Sequence, residues 1–289
     1  MAAQVSQLIA ARDFLHIVGG MLYANETENN LILGVSERLV RDPNAYQNPF
    51  YAVVKAEDGA LLLAALMTPP HNLILAGEEG YQAGASALVD YIQVHPLDIP
   101  GVMAPAHIAS HFSKVWQNVT GQTSQLHMRQ KVYELRTVHM PPMPSGHFRI
   151  AGARDVPQVA EWLHAFEIEA MGKDGDLDQE RAKRLVKKGN IFVWDCDGAI
   201  VSMAMKTRPV THSISISGVF TPSEQRRQGY ATALVARLSQ HLLDSGYQFV
   251  NLFTDLANPT SNSIYRKIGY HPVCDFRMYA FVSEDVVGR

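Results

Sequence analysis

The sequence predicts an α/β (α+β) chain made of two similar domains, and three observations carry that expectation. Short β-branched or alternating stretches take turns with stretches whose apolar residues recur every three or four positions, the order of sheets flanked by helices. Two segments 139 residues apart read alike: Asp58-Gly59-Ala60-Leu61-Leu62-Leu63-Ala64-Ala65-Leu66-Met67-Thr68-Pro69-Pro70 and Asp197-Gly198-Ala199-Ile200-Val201-Ser202-Met203-Ala204-Met205-Lys206-Thr207-Arg208-Pro209. Between them, Met140-Pro141-Pro142-Met143-Pro144-Ser145-Gly146 holds three prolines in seven residues, which suits a stiff linker and no continuing helix. The expected layout is therefore 1–140, a linker at 141–146, and 147–289.

Each similar segment follows an aromatic and β-branched run, Phe50-Tyr51-Ala52-Val53-Val54 in the first and Ile191-Phe192-Val193-Trp194 in the second. Both read as β-hairpins turning at Asp-Gly and closing at Thr-x-Pro. One such match is common. The same order of charged helical stretch, strand, turn, strand and Thr-x-Pro points to a duplicated domain.

Elsewhere in the first half, residues 6–40 read as largely helical, with Phe14, Val18 and Leu22 at helical spacing. Leu73-Ile74-Leu75 reads as a short strand, Tyr81 to Gln93 as a helix, and Val132 to Val138 as a final strand. His107 and His111 form an i,i+4 pair, but Ile108 stands where a zinc-protease helix needs glutamate. No third ligand is apparent, so no metal is expected.

The second half opens with a strand at Phe148-Arg149-Ile150, then a helix from Val156 to about Glu169 with Asp155 as its cap. Asp176 and Gln179 form a capping-box start for a helix ending near Gly189. The run Asp174-Gly175-Asp176-Leu177-Asp178 hints at a calcium loop, yet Gln179 and Leu185 stand where glycine and glutamate are needed. His212 to Phe220 alternates as a half-buried strand, and a helix with Leu234, Leu238 and Leu242 on one stripe stops at Ser245-Gly246.

Between that strand and helix lies Thr221-Pro222-Ser223-Glu224-Gln225-Arg226-Arg227-Gln228-Gly229-Tyr230-Ala231. Free N–H groups at a helix start, a glycine for close approach and two arginines make an anion site. Downstream, strand Phe249-Val250-Asn251-Leu252-Phe253 leads to Asn258-Pro259-Thr260-Ser261-Asn262-Ser263-Ile264-Tyr265 and Gly269-Tyr270. Asn258 and Pro259 account for a helix start by themselves. Asn262 and Tyr265 share a neighbouring face of that helix.

These two ordered signatures resemble the GNAT superfamily of acyl-CoA-dependent N-acetyltransferases. Arg226-Arg227-Gln228-Gly229-Tyr230-Ala231 corresponds to its Q/R-x-x-G-x-G/A loop, and Asn258 to Tyr265 with Gly269-Tyr270 to its distal Asn…Tyr…Gly-aromatic helix. The match covers about residues 147–282. The resemblance implies two GNAT-like domains, each a mixed central sheet flanked by helices.

It also implies acetyl-CoA as co-substrate, with the N–H groups of Arg227, Gln228, Gly229, Tyr230, Ala231 and Thr232 on its pyrophosphate and Arg226 adding charge. Val219, Phe220 and Thr221 would pair with the pantetheine arm, Asn258 and Asn262 would anchor the cofactor, and Tyr265 would protonate the departing thiolate. The sequence departs from a common family pattern in having Ser215, Ser217 and Gly218 where many members carry a strand glutamate. A water-mediated base is then expected, with Glu167, Glu169 or Glu224 as candidates. The equivalent loop of the first half, near Gly77 to Gly84, has two glutamates and no arginine, so that half is expected to be degenerate.

Bulk properties set the remaining expectations. The 289 residues are 47% hydrophobic and 18% charged, as in globular proteins, and the net charge of −3 gives no reason to expect nucleic acid or anionic membrane. Cys196 and Cys274 stand alone, which suits a reducing compartment. The N-terminus lacks a secretory pattern and no run of 18 apolar residues occurs, so a cytoplasmic protein is expected. The expected acceptor is a small-molecule or peptide amine, and the expected state a monomer or homodimer. The alternative is a non-catalytic acyl-CoA-binding or sensor protein.

Overall fold

A computed structural model describes residues 3–172 and 176–282, with Met171 by its backbone alone. The calcium-loop reading begins at 174 and 175, which lie outside the described residues. In chain order the first half runs β1 (Ala3–Leu8), α1 (Ala11–Ala24), α2 (Asn30–Arg41), β2 (Phe50–Ala56), β3 (Leu61–Met67), β4 (Leu73–Gly77), α3 (Tyr81–Val94), β5 (Gly101–Pro105), α4 (Ala106–Thr120) and β6 (Thr123–Leu135). The second half repeats the order: β7 (His147–Ile150), α5 (Val156–Met171), α6 (Gln179–Lys187), β8 (Ile191–Cys196), β9 (Ala199–Thr207), β10 (Ser213–Phe220), α7 (Tyr230–Asp244), β11 (Phe249–Asp255), α8 (Pro259–Ile268) and β12 (His271–Val282). The duplicated order expected from the paired hairpins is therefore present across both halves.

The chain forms two compact units. One holds residues up to Val132 together with those from Val273, and the other is Tyr133–Pro272. Thus β12 from Val273 onward belongs to the first unit, and the tip of β6, Tyr133 to Leu135, to the second. In the first unit β12 pairs antiparallel with β5, Phe276 opposite Pro105 and Ala280 opposite Gly101. The segment 140–146 carries no helix or strand and lies within the second unit. It is held against β8, because Trp194 Nε1 and Cys196 Sγ both donate to the Ser145 carbonyl, at 2.9 and 3.2 Å.

The first unit is a mixed sheet in which β1 to β4 pair antiparallel in sequence order and β4 pairs parallel with β5. Its core gathers Val54, Leu63 and Leu75 from the strands with Leu88 of α3 and Ile108, Phe112 and Trp116 of α4. In the second unit β7 to β10 pair antiparallel and β10 pairs parallel with β11. Alternation along β8 divides its two faces. Phe192 and Trp194 pack with Leu234, Leu238 and Leu242 of α7, while Ile191 and Val193 pack with Trp162 and Leu163 of α5 and Val186 of α6. Two helix pairs on opposite faces of a mixed sheet result.

Some local expectations are corrected. Residues 6–8 belong to strand β1 instead of a helix, because they pair with Tyr51 to Val53 of β2. The final strand of the first half ends at Leu135, short of Val138, and begins earlier, at Thr123. The cap of α6 is Asp178, whose carboxylate accepts the Arg181 N–H at 2.7 Å, in place of Asp176. Asp155 does not cap α5 with its side chain. Its carboxylate accepts the Gly152 N–H at 2.7 Å and two bonds from Arg149 at 2.6 and 2.9 Å, closing the turn ahead of the helix.

No described helix is long and apolar enough to cross a membrane.

Candidate active site

The site begins where the parallel pair β10–β11 stops pairing. Ser213 to Ile216 stand in register with Phe249 to Leu252, but β10 continues to Phe220 and β11 to Asp255 without further register. On its other side β10 shifts register against β9 between Ser217 and Phe220, a bulge that bends the strand. The strand ends therefore part, leaving the backbone of Ser217 to Phe220 unpaired on the β11 side.

Buried polar groups hold this geometry on both sides of the opening. Where the strands are still paired, Ser215 Oγ donates to Asn251 Oδ1 and Asn251 Nδ2 donates to Ser213 Oγ at 3.2 Å, all three residues being fully buried. Where they have parted, the fully buried Ser202 Oγ donates to the Phe220 carbonyl at 3.1 Å and lies 2.8 Å from Thr221 Oγ1. Ser202 was missed in the sequence. Its signal was a polar side chain at the hairpin position that Leu63 holds in the first copy.

The loop that follows has Arg227 and Gly229 in left-handed backbone, at φ +66° and +85°. Alternating left- and right-handed residues turn successive N–H groups to one side, an anion-binding nest. Among the described residues the N–H groups of Arg227, Gln228 and Gly229 find no backbone acceptor. Those of Tyr230, Ala231 and Thr232 open α7 and have no carbonyl one turn back. The helix dipole adds positive potential at the same place. Space is available too: a Cβ on Gly229 would meet no atom within 4 Å. Tyr230 is buried and steadies the loop by donating to Gln228 Oε1 at 3.1 Å.

Arg226 is engaged within the protein. Its Nε donates to the Thr221 carbonyl at 2.9 Å, and Nη2 reaches both oxygens of Glu169 at 2.8 and 2.9 Å. Glu169 is thereby ion-paired, and Glu167 is ion-paired with Arg181. Glu224 is exposed and accepts from Ser223 Oγ at 3.1 Å. Both α5 carboxylates are thus engaged by arginines.

The distal helix α8 begins as expected, with Asn258 Oδ1 accepting the Ser261 N–H at 3.0 Å. Asn262 Nδ2 donates to the carbonyls of Asp255 and Asn258 at 3.0 and 2.7 Å, and its Oδ1 accepts from Tyr133 Oη at 3.2 Å. The Asn262 side chain thus ties α8 to the end of β11, and that of Asn258 caps the helix. Tyr265 lies against Tyr133 and Tyr270, 7% exposed, where burial pushes its phenol up to about 12 despite a hydrogen bond with Ser261. It holds its proton firmly at neutral pH.

In the first unit the parallel pair β4–β5 also loses register beyond Ile74 and Met103, but the loop that follows is short and filled. Only Glu78, Glu79 and Gly80 separate β4 from α3, and a Cβ on Gly80 would come within 2.8 Å of Leu62 Cδ2. His107 and His111 both set their rings edge-on to Tyr81, and among the described residues no group of three His, Cys, Asp or Glu side chains could hold a metal.

Comparison with known proteins bears on the fold and on the family of the second half. Residues 156–270 match the family described as Acetyltransferase (GNAT) family. Over 96% of this chain and 94% of its own, a GCN5-related N-acetyltransferase from Sphaerobacter thermophilus superposes with a TM-score of 0.63 at 16% identity. An acetyltransferase from the GNAT family of Colwellia psychrerythraea does so with 0.59 at 11% identity, covering 96% and 98%. A tandem GNAT protein from the clavulanic acid biosynthesis pathway gives 0.55 at 14% identity, covering 97% and 99%. No curated protein matches the chain in sequence. The two units share the fold of GNAT proteins, tandem ones included, and residues 156–270 are a domain of the acetyltransferase (GNAT) family.

Proposed function

We propose that the chain is an N-acetyltransferase that moves an acetyl group from acetyl-CoA to a primary amine of a small molecule or peptide. The observation that carries this reading is the parting of β10 and β11 directly ahead of the unpaired N–H groups at the start of α7. Bound acetyl-CoA supplies an activated thioester. The N–H groups of Arg227 to Thr232 receive its pyrophosphate, and the backbone of Val219 to Thr221 lies where an extended arm can pair with it.

A backbone N–H of that strand polarises the thioester carbonyl, and Tyr265 gives its proton to the departing thiolate. Asn258 and Asn262 act by placing Tyr265, since their amides are bonded within α8 and to β11. Arg226 acts by holding the Thr221 carbonyl. A water chain takes the amine proton, with Glu167 and Glu169 already engaged by arginines.

The test is thiol release from acetyl-CoA over a panel of small amines, amino acids and peptides. Amine-dependent release that is lost in Tyr265→Phe supports the reading. Tight acetyl-CoA binding with no release on any amine would make the chain an acyl-CoA sensor instead.

A further inference from the structure

A cavity of about 330 Å³ lies on the first unit against the C-terminal half of α4, away from every group invoked above. Ser110, Ser113, Lys114 and Gln117 face it at spacings of three, four and seven, one stripe of the helix. Asn118 of α4, Ser124 of β6 and Tyr279 of β12 complete its wall. Among the described residues no carboxylate lines it. Behind the wall Arg277 Nη1 donates to Ser110 Oγ at 2.6 Å, and Tyr279 Oη lies 3.2 Å from the same oxygen.

The polar atoms of this wall are unevenly satisfied. Ser113 is 3% exposed and donates to the Ser110 carbonyl at 3.2 Å. The Ser124 N–H donates to Gln117 Oε1 at 3.1 Å, while Ser124 Oγ is buried with no hydrogen-bond partner among the described residues. Such an orphan is uncommon in a folded interior. Burial would raise the Tyr279 phenol, yet bonds with Ser110 and Arg277 and the charge of Arg277 hold it below the usual range. A lysine, hydroxyl groups and two side-chain amides around a small cavity match the way proteins hold phosphate oxygens. The volume is at the lower end for small-molecule sites.

We propose that this cavity binds a small phosphate-type oxyanion, inorganic phosphate or the phosphate of a compact monoester, with Lys114 as its charged contact. The site is separate from acyl transfer and does not depend on that reading.

The experiment is a titration of the full chain with inorganic phosphate, followed by assigned amide NMR. It uses the Arg227→Glu background, so that the loop of the second unit does not compete. The amides of Ser113, Lys114 and Ser124 should shift saturably at millimolar phosphate, and Lys114→Glu should weaken this by about tenfold. Lys114→Gln should weaken it less, and a monoester such as glycerol phosphate should compete if the cavity accepts more than the free ion. Unmoved amides, or shifts that persist undiminished in Lys114→Glu, would overturn the proposal.

Discussion

Gly80 and Gly229 hold equivalent places in the two units, each in left-handed backbone at φ +84° and +85° immediately ahead of a helix. The turn is the same, but the surroundings differ. Leu62 fills the space beside Gly80, whereas the space beside Gly229 is open. Alanine at Gly229 should therefore cost only backbone strain, about 1–2 kcal/mol. Alanine at Gly80 adds overlap with Leu62 and should cost more. Urea denaturation of the two variants checks this order. Equal losses would mean that Gly229 is packed as tightly as Gly80.

Tyr265 and Tyr270 give the stability a basic limb. Burial is the main cause in both, pushing Tyr265 up to about 12 and Tyr270 above the usual phenol range. Because the folded phenols ionise later than unfolded ones, their contribution is complete below about pH 10 and is lost as pH rises from there towards 12. Tyr265→Phe should flatten this loss, read as the thermal midpoint across that range. The same variant should lower acetyl transfer by about a hundredfold or more while leaving stability within about 1 kcal/mol.

Ser202 stands below the strand end that is proposed to meet the pantetheine arm. Ser202→Ala leaves the Phe220 carbonyl without its buried donor, at a cost of about 1–3 kcal/mol. If the strand end is a binding edge, KM for acetyl-CoA should rise while KM for the amine stays put. Steady-state kinetics in both substrates separates the two.

Glu169 should prove dispensable for proton transfer. Its pair with Arg226 is about half-exposed on both sides, so Glu169→Gln should cost less than about 1 kcal/mol. The pH–rate profile should keep its shape. Loss of its acidic limb would make Glu169 the base after all.

Much of the second unit was legible because its signals are local. The Asp-Gly turn, the leucine stripe of α7 and the Asn258-Pro259 start each depend on neighbours in sequence. The exchange of β12 and the tip of β6 was not legible, since alternation shows that a strand has two faces and says nothing of its partner. β5 was missed because it opens on Gly101 and closes on Pro105, residues that read as breakers. Asn258 and Asn262 were assigned to the cofactor from the resemblance, and only coordinates reveal their amides bonded within α8 and to β11. The carboxylates were likewise legible as candidates, but their arginine partners come from 14 and 57 residues away.

The central claim is that the second unit alone presents an acyl-CoA site at the start of α7. Calorimetric titration of acetyl-CoA into the full chain tests it most directly, beside the same titration of Gly229→Ala. The account predicts one equivalent bound per chain and marked weakening in the variant. Two equivalents, no binding, or a titration that Gly229→Ala leaves unchanged would contradict it.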